Sequence, residues 1–148
     1  MADDRPVLDQ INLVASDVEA TAAFYRLLGV DVPPATSDEW AAHHRSGVLQ
    51  SDGLEVDLDS AAFASYWGAE GLPPGLVLDF RVQQRETVDA IYDRVTAGGH
   101  RGIRAPYDAF WGSRLAIVEG PDGVIVGVMS VRSDEHRGTT PDVSGFSA

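Results

Sequence analysis

The stretch Leu8-Asp9-Gln10-Ile11-Asn12-Leu13-Val14, followed by Asp17 and then by Ala23-Phe24-Tyr25-Arg26-Leu27-Leu28-Gly29, decides the fold. It reads as a strand over residues 7–15 and then as an amphipathic helix over residues 17–28. Asp17 is placed to cap the helix, and Val18, Thr21, Phe24, Tyr25 and Leu28 form its apolar stripe. Gly29 suits the left-handed stop.

Working outward, strands are expected over 30–32, 39–45, 47–49 and 54–59, with Ser51-Asp52-Gly53 as a turn before the last. A connector over 61–75 ends in Gly71-Leu72-Pro73-Pro74-Gly75, which breaks periodic structure. The same order of elements then recurs. Residues 76–82 read as a strand and 85–97 as a helix striped by Val88, Ile91, Tyr92 and Val95. Strands follow over 102–105, 111–119 and 124–131, with the turn Pro121-Asp122-Gly123 between the last two. Tyr25 and Tyr92 stand 67 positions apart, as do Leu13 and Phe80; Asp52-Gly53 and Asp122-Gly123 stand 70 apart. The chain is thus an internal repeat of the α+β class. Two tandem βαβββ modules, about 7–60 and about 76–131, make one domain over 1–131, and the Ser- and Gly-rich residues 132–148 are expected as a flexible tail.

In order and spacing these fragments, together with Phe110-Trp111-Gly112-Ser113-Arg114 and Gly120-Pro121-Asp122-Gly123, resemble the vicinal oxygen chelate superfamily. That superfamily includes glyoxalase I, extradiol dioxygenases and bleomycin-resistance proteins. The resemblance implies mixed sheets that curl into a cup around a ligand, and a homodimer. In metal-dependent members four ligands line the cup, at positions that here hold Gln10, Asp57, Val77 and Gly127. Gln10 and Asp57 carry donor atoms; Val77 and Gly127 have none in their side chains. Half a site is too poor to hold a catalytic metal. The expectation is therefore no metal, no other cofactor and no catalytic residues, on the metal-free bleomycin-resistance branch.

No other motif rebuilds a reactive site. His43 and His44 are adjacent, so in a strand they face opposite sides, and which one faces the cup is open. Cysteine is absent, and so are a nucleophile elbow, a P-loop and a GxGxxG segment.

Composition narrows the partners. The chain has 148 residues, 11 basic against 23 acidic, and a net charge of −12; every basic residue apart from histidine is Arg. Nucleic acid and anionic membranes would be repelled. The acidity fits either solubility or attraction of a cation. No apolar run approaches the ~18 residues of a membrane span, and the opening Met1-Ala2-Asp3-Asp4-Arg5 is unlike a secretion signal, so a cytoplasmic protein is expected.

In Leu54-Glu55-Val56-Asp57-Leu58-Asp59 the carboxylates share one face, which is either the cup or a solvated strip. Val77, Asp79 and Arg81 share the corresponding face of the second module. Trp40, Phe63, Tyr66, Trp67, Tyr107, Phe110 and Trp111 fall outside the helix stripes, with all three tryptophans expected outside helices. They read either as caps on sheet edges or as flat walls for a planar ligand. The candidate ligand-binding set is Gln10, Trp40, His44, Glu55, Asp57, Trp67, Asp79, Phe110 and Trp111. The function expected is metal-independent binding of an aromatic small molecule, with a cation suiting the acids. The alternatives are a lyase, isomerase or dioxygenase of the same superfamily with a rearranged site, and an interaction module without a small ligand.

Overall fold

The computed structural model describes residues 3–48 and 54–146. Its contacts divide the chain into two units: a first unit of Gln10–Val77 with Asp142–Ala148, and a second of Met1–Asp9 with Leu78–Pro141.

In the first unit β1 (Val7–Ala15, from Gln10 onward) leads into α1 (Val18–Leu27). Asp17 caps α1 as expected: its backbone is extended and its Oδ1 accepts from the Ala20 N–H at 2.9 Å. The stripe that α1 buries differs from the one expected. Val18 and Ala22 are buried and Tyr25 packs beside them, whereas Phe24 and Leu28 are exposed. A spacing of four and then three residues is the narrower stripe that one sheet face can cover. These residues pack with Ala15, Val32, Val48 and Leu58 into one core cluster.

The middle of this unit holds less strand than its sequence suggests. Residues 30–32 are irregular, although Val32 is buried in the core. Asp38–Trp40 form a 3-10 turn, and only His44–Arg45 remain as β2. Gly47 and Val48 are irregular, and the expected turn at 51–53 lies outside the described residues. β3 (Glu55–Ser60) pairs parallel to β1, from Gln10↔Glu55 to Ala15↔Ser60, and antiparallel to β2, giving the order β2-β3-β1. The connector holds a helix that periodicity did not reveal, α2 (Ala61–Trp67). Its N-cap is Ser60, whose Oγ accepts from the Phe63 N–H at 3.1 Å.

The second unit matches its expected βαβββ order. β4 (Gly75–Val82, from Leu78 onward) is followed by α3 (Arg85–Ala97), β5 (Arg101–Asp108), β6 (Arg114–Glu119) and β7 (Ile125–Ser130). The order is β4-β7-β6-β5, with β5, β6 and β7 antiparallel. Val88 and Ile91 of α3 pack on Val82, Ala116 and Val128, with Tyr92 and Val95 alongside, so the expected stripe is the buried one. Asp4 ties the start of the chain to this unit by accepting from the Gln83 and Gln84 N–H groups ahead of α3. The Pro121-Asp122-Gly123 turn is also as expected, with Asp122 and Gly123 both in the left-handed region at φ 61° and 75°.

The segment expected as a flexible tail carries 3-10 turns at Asp134–His136 and Val143–Gly145. Its Val143 is buried, and its Phe146 reaches the aromatic residues of the first unit. Among the described residues no helix is long and apolar enough to cross a membrane.

Candidate functional site

Alternation along β3 sets the site in the first unit. Leu58 faces the α1 core, so Glu55, Asp57 and Asp59 project from the opposite face. Leu13 and Ala15 of β1 pack on that same core, which leaves Gln10 and Asn12 on the carboxylate side. Register pairs His44 with Asp59 and Arg45 with Leu58. His44 is thereby the histidine on the acidic face, while the buried Arg45 reaches back to Glu19 on α1. His43 turns elsewhere and shares a hydrogen bond of 2.9 Å with the Ser60 hydroxyl.

The acids do not form a solvated strip. Asp57 is 4% exposed, Asp59 is 3% exposed and Glu55 is half-buried. Asp57 accepts from the Gln10 side-chain amide at 3.2 Å and from the Gly47 N–H at 3.1 Å, and the same Gln10 amide donates to Asn12 Oδ1 at 2.8 Å. Asp59 is bonded to His44 Nδ1 at 2.5 Å and accepts from the Trp67 indole N–H at 3.1 Å. Burial, with the neighbouring charges of Asp59 and Glu55, pushes the Asp57 carboxyl up to about 7, against the opposing pull of His44 and Gly47. Burial also raises Asp59, while its bonds to His44 and Trp67 pull it back. Burial disfavours the His44 cation, but its bond to Asp59 and the charges of Asp59, Asp57 and Glu55 prevail and raise it.

Rings adjoin this face through His44, which meets Trp40 at 6.3 Å and Phe63 at 5.5 Å between centroids. Trp67 departs from expectation. It closes α2 instead of lying outside the helices, and its buried indole serves as a donor that positions Asp59.

The other predicted residues belong to the second unit. Val82 faces the α3 core, so Asp79 and Arg81 lie on the opposite face of β4, and Asp79 is 2% exposed. Its carboxylate fills the space that a side chain at Gly127 would need. Phe110 and Trp111 meet edge to face at 5.1 Å, and the Trp111 indole N–H donates to Met129 Sδ at 3.3 Å. Arg81 and Arg114, which would oppose a cation, are engaged by acids outside the predicted set: Asp9 at 3.7 Å, and Asp89 and Asp108 at 2.9 and 3.1 Å. The structure thus brings Gln10, Trp40, His44, Glu55, Asp57 and Trp67 together in the first unit, and holds Asp79, Phe110 and Trp111 in the second.

A groove of about 390 Å³ also occurs in the first unit, lined by Leu13, Ala20, Thr21, Tyr25 and Pro74 among others. It lies on the α1 side of β1, away from the carboxylates. Of its polar groups, Asp17 and Thr21 are already bonded within the α1 cap. The acidic face is therefore the candidate site.

Of the four positions that the family resemblance implies for a metal, two lack a side-chain donor. Val77 offers no donor, and the space at Gly127 is taken by a carboxylate from another strand. Gln10 and Asp57 are bonded to each other. Among the described residues no three His, Asp or Glu side chains are grouped to hold a metal ion.

Outside the predicted set stand the buried Asn12, which the sequence placed on the Gln10 face of its strand, the His43–Ser60 pair and Phe146. For Phe146 a signal was available: it and Val143, three positions apart, are the large apolar residues of the tail.

The sequence profile of the Glyoxalase/Bleomycin resistance protein/Dioxygenase superfamily matches residues 7–128. No curated protein matches. Among solved structures, one described as the NAD-dependent benzaldehyde dehydrogenase from Legionella pneumophila has a TM-score of 0.59 at 16% identity, covering 83% of this chain and 98% of its own. A glyoxalase/bleomycin resistance protein/dioxygenase superfamily member from Vibrio splendidus 12B01 has 0.54 at 21%, covering 86% and 98%. The methylmalonyl-CoA epimerase of Streptomyces coelicolor, in complex with 2-nitronate-propionyl-CoA, has 0.52 at 22%, covering 88% and 100%. At such identities these structures bear on the fold alone. With the profile spanning both repeats, the chain belongs to the glyoxalase/bleomycin resistance protein/dioxygenase superfamily.

Proposed function

We propose that this protein binds a small aromatic cation without a metal, on the carboxylate face of its first unit, in the manner of the bleomycin-resistance branch. The observation that carries the reading is the row Glu55, Asp57, Asp59, with its last two members buried. Carboxylates held this close oppose one another's ionisation, and an organic cation laid against them relieves that opposition. Trp40 and Phe63, which touch His44 beside the row, supply ring faces for stacking and cation–π contact. Sequestration or carriage requires only such binding.

Calorimetric titration with benzyltrimethylammonium and with neutral benzyl alcohol tests this. Asp57 is protonated in the free protein below about 7, so a cation binds best where that proton has gone. Affinity for the cation should rise up to ~10-fold per pH unit between 5.5 and 7 and level off above, with no such rise for benzyl alcohol. Asp57→Asn should weaken cation binding ~10-fold or more at pH 8 and flatten the profile. A cation that fails to bind at pH 8, or that binds Asp57→Asn equally well, refutes the proposal.

The second reading is an enzyme that moves a proton, and it rests on the same Asp57. A carboxyl near 7 is matched to general acid–base work at neutral pH. Deuterium from solvent appearing in a ligand recovered after incubation in D2O would favour it over simple binding.

A further inference from the structure

A cluster of rings meets in the first unit. Trp40 and Phe63 pack edge to face at 5.0 Å, and Tyr66 lies against Phe63 at 6.3 Å. Phe146 stands among them, 5.3 Å from His43, 5.8 Å from Tyr66, 6.1 Å from Phe63 and 6.4 Å from Trp40. Its planes are nearly perpendicular to Trp40 and His43 and nearly parallel to Phe63. These are the arrangements that aromatic quadrupoles favour, and any ring of similar size satisfies them.

We propose that this slot is a binding site for the aromatic ring of a small ligand, and that Phe146 fills it in the free protein and yields to that ring. The inference rests on the ligand-binding reading above and deepens it: the ligand class becomes an aryl-alkyl cation. His44 joins the two parts, since its ring contacts Trp40 and Phe63 while its Nδ1 is bonded to Asp59. A ligand with a ring and a positive charge uses the slot and the carboxylates together. The phenyl side chain of Phe146 uses the slot alone. Phe146 is also free to leave at small expense. It is half-buried, residues 134–140 before it are exposed, and of the turn that carries it only Val143 is buried. Asp142 braces that turn from within, accepting from the Ser144 N–H and hydroxyl.

The test compares the parent chain of residues 1–148 with Phe146→Ala, and with a chain ending at Pro141, using benzyl alcohol and benzyltrimethylammonium at pH 8. Thermal melts confirm that each protein is folded. An internal competitor lowers apparent affinity by the fraction of time it occupies the site, so both shortened side chain and shortened chain should bind benzyl alcohol ~10-fold more tightly. The cation should gain by a similar factor. Equal affinity of benzyl alcohol for all three folded proteins, or failure to bind any of them, overturns the slot. Benzyl alcohol separates this inference from the one it rests on. A gain for benzyl alcohol with no cation binding supports the slot while the cation reading fails. Cation binding that depends on Asp57 but is indifferent to Phe146 leaves that reading standing and overturns the slot.

Discussion

Replacing Asp57 by Asn is expected to make the protein more stable at pH 8, by about 2–4 kcal/mol, and to change little at pH 4. The sign follows from the direction of the shift. The Asp57 carboxyl moves from 3.8 up to about 7 on folding, so between those values the native state holds a proton that the unfolded chain has released. A native state that binds more protons loses stability as pH rises through that window. Each unit is worth about 1.4 kcal/mol, and the lower end of the range allows for sharing of the effect with Asp59 and His44. Asn keeps the size and shape, and its carbonyl oxygen still accepts from the Gly47 N–H; its NH2 replaces the oxygen that accepts from the Gln10 amide, so that one bond is lost unless Gln10 turns its own oxygen toward it. Urea melts of both proteins from pH 4 to 8.5 check this. A variant no more stable than the parent at pH 8 would mean that Asp57 ionises in the native state without penalty. Since the same substitution is expected to weaken cation binding, stability and binding would be set against each other at one carboxyl.

What was legible in the sequence, and what was not, divides along physical lines. The second unit could be read almost element by element, because α3 shows an uninterrupted 3.6-residue stripe and its strands are bounded by glycine and by Pro121-Asp122-Gly123. The carboxylate face of β3 was legible too, since a period of two fixes which residues share a side. Its burial was not. Whether Asp57 and Asp59 meet solvent depends on Gln10, His44, Gly47 and Trp67, which reach them from other elements. Short elements also escaped the sequence. β2 has two residues and α2 seven, too few for a period to show, and α2 is marked chiefly by its Ser60 cap. On α1 the apolar residues outnumber the positions the sheet can cover, so Phe24, Leu27 and Leu28 stay exposed and no count of hydrophobic spacing could single them out. The tail misled for the opposite reason: its composition is that of a disordered segment, and two apolar residues suffice to seat its end.

Gly127→Ala is expected to cost about 2–3 kcal/mol, an unusual penalty for one methyl group on a strand. Val128 faces the α3 core, so position 127 points the other way, where the Asp79 Oδ1 already occupies the site of a β-carbon and Ile117 Cδ1 stands 3.6 Å off. Asp79 is almost fully buried. The methyl group must therefore push a buried carboxylate out of its place. Shortening Asp79 to Ala removes the obstacle, so Gly127→Ala introduced into Asp79→Ala should cost under about 1 kcal/mol, a coupling of about 1–2 kcal/mol. Urea melts of the four proteins at pH 7 close the cycle, and additivity within about 0.5 kcal/mol would mean that the two side chains do not contend for one volume. The result bears on chemistry as well as packing. A glutamate at 127, the change that would return a metal donor to β7, meets the same obstacle with a longer side chain and a second negative charge. It should be tolerated only beside Asp79→Ala.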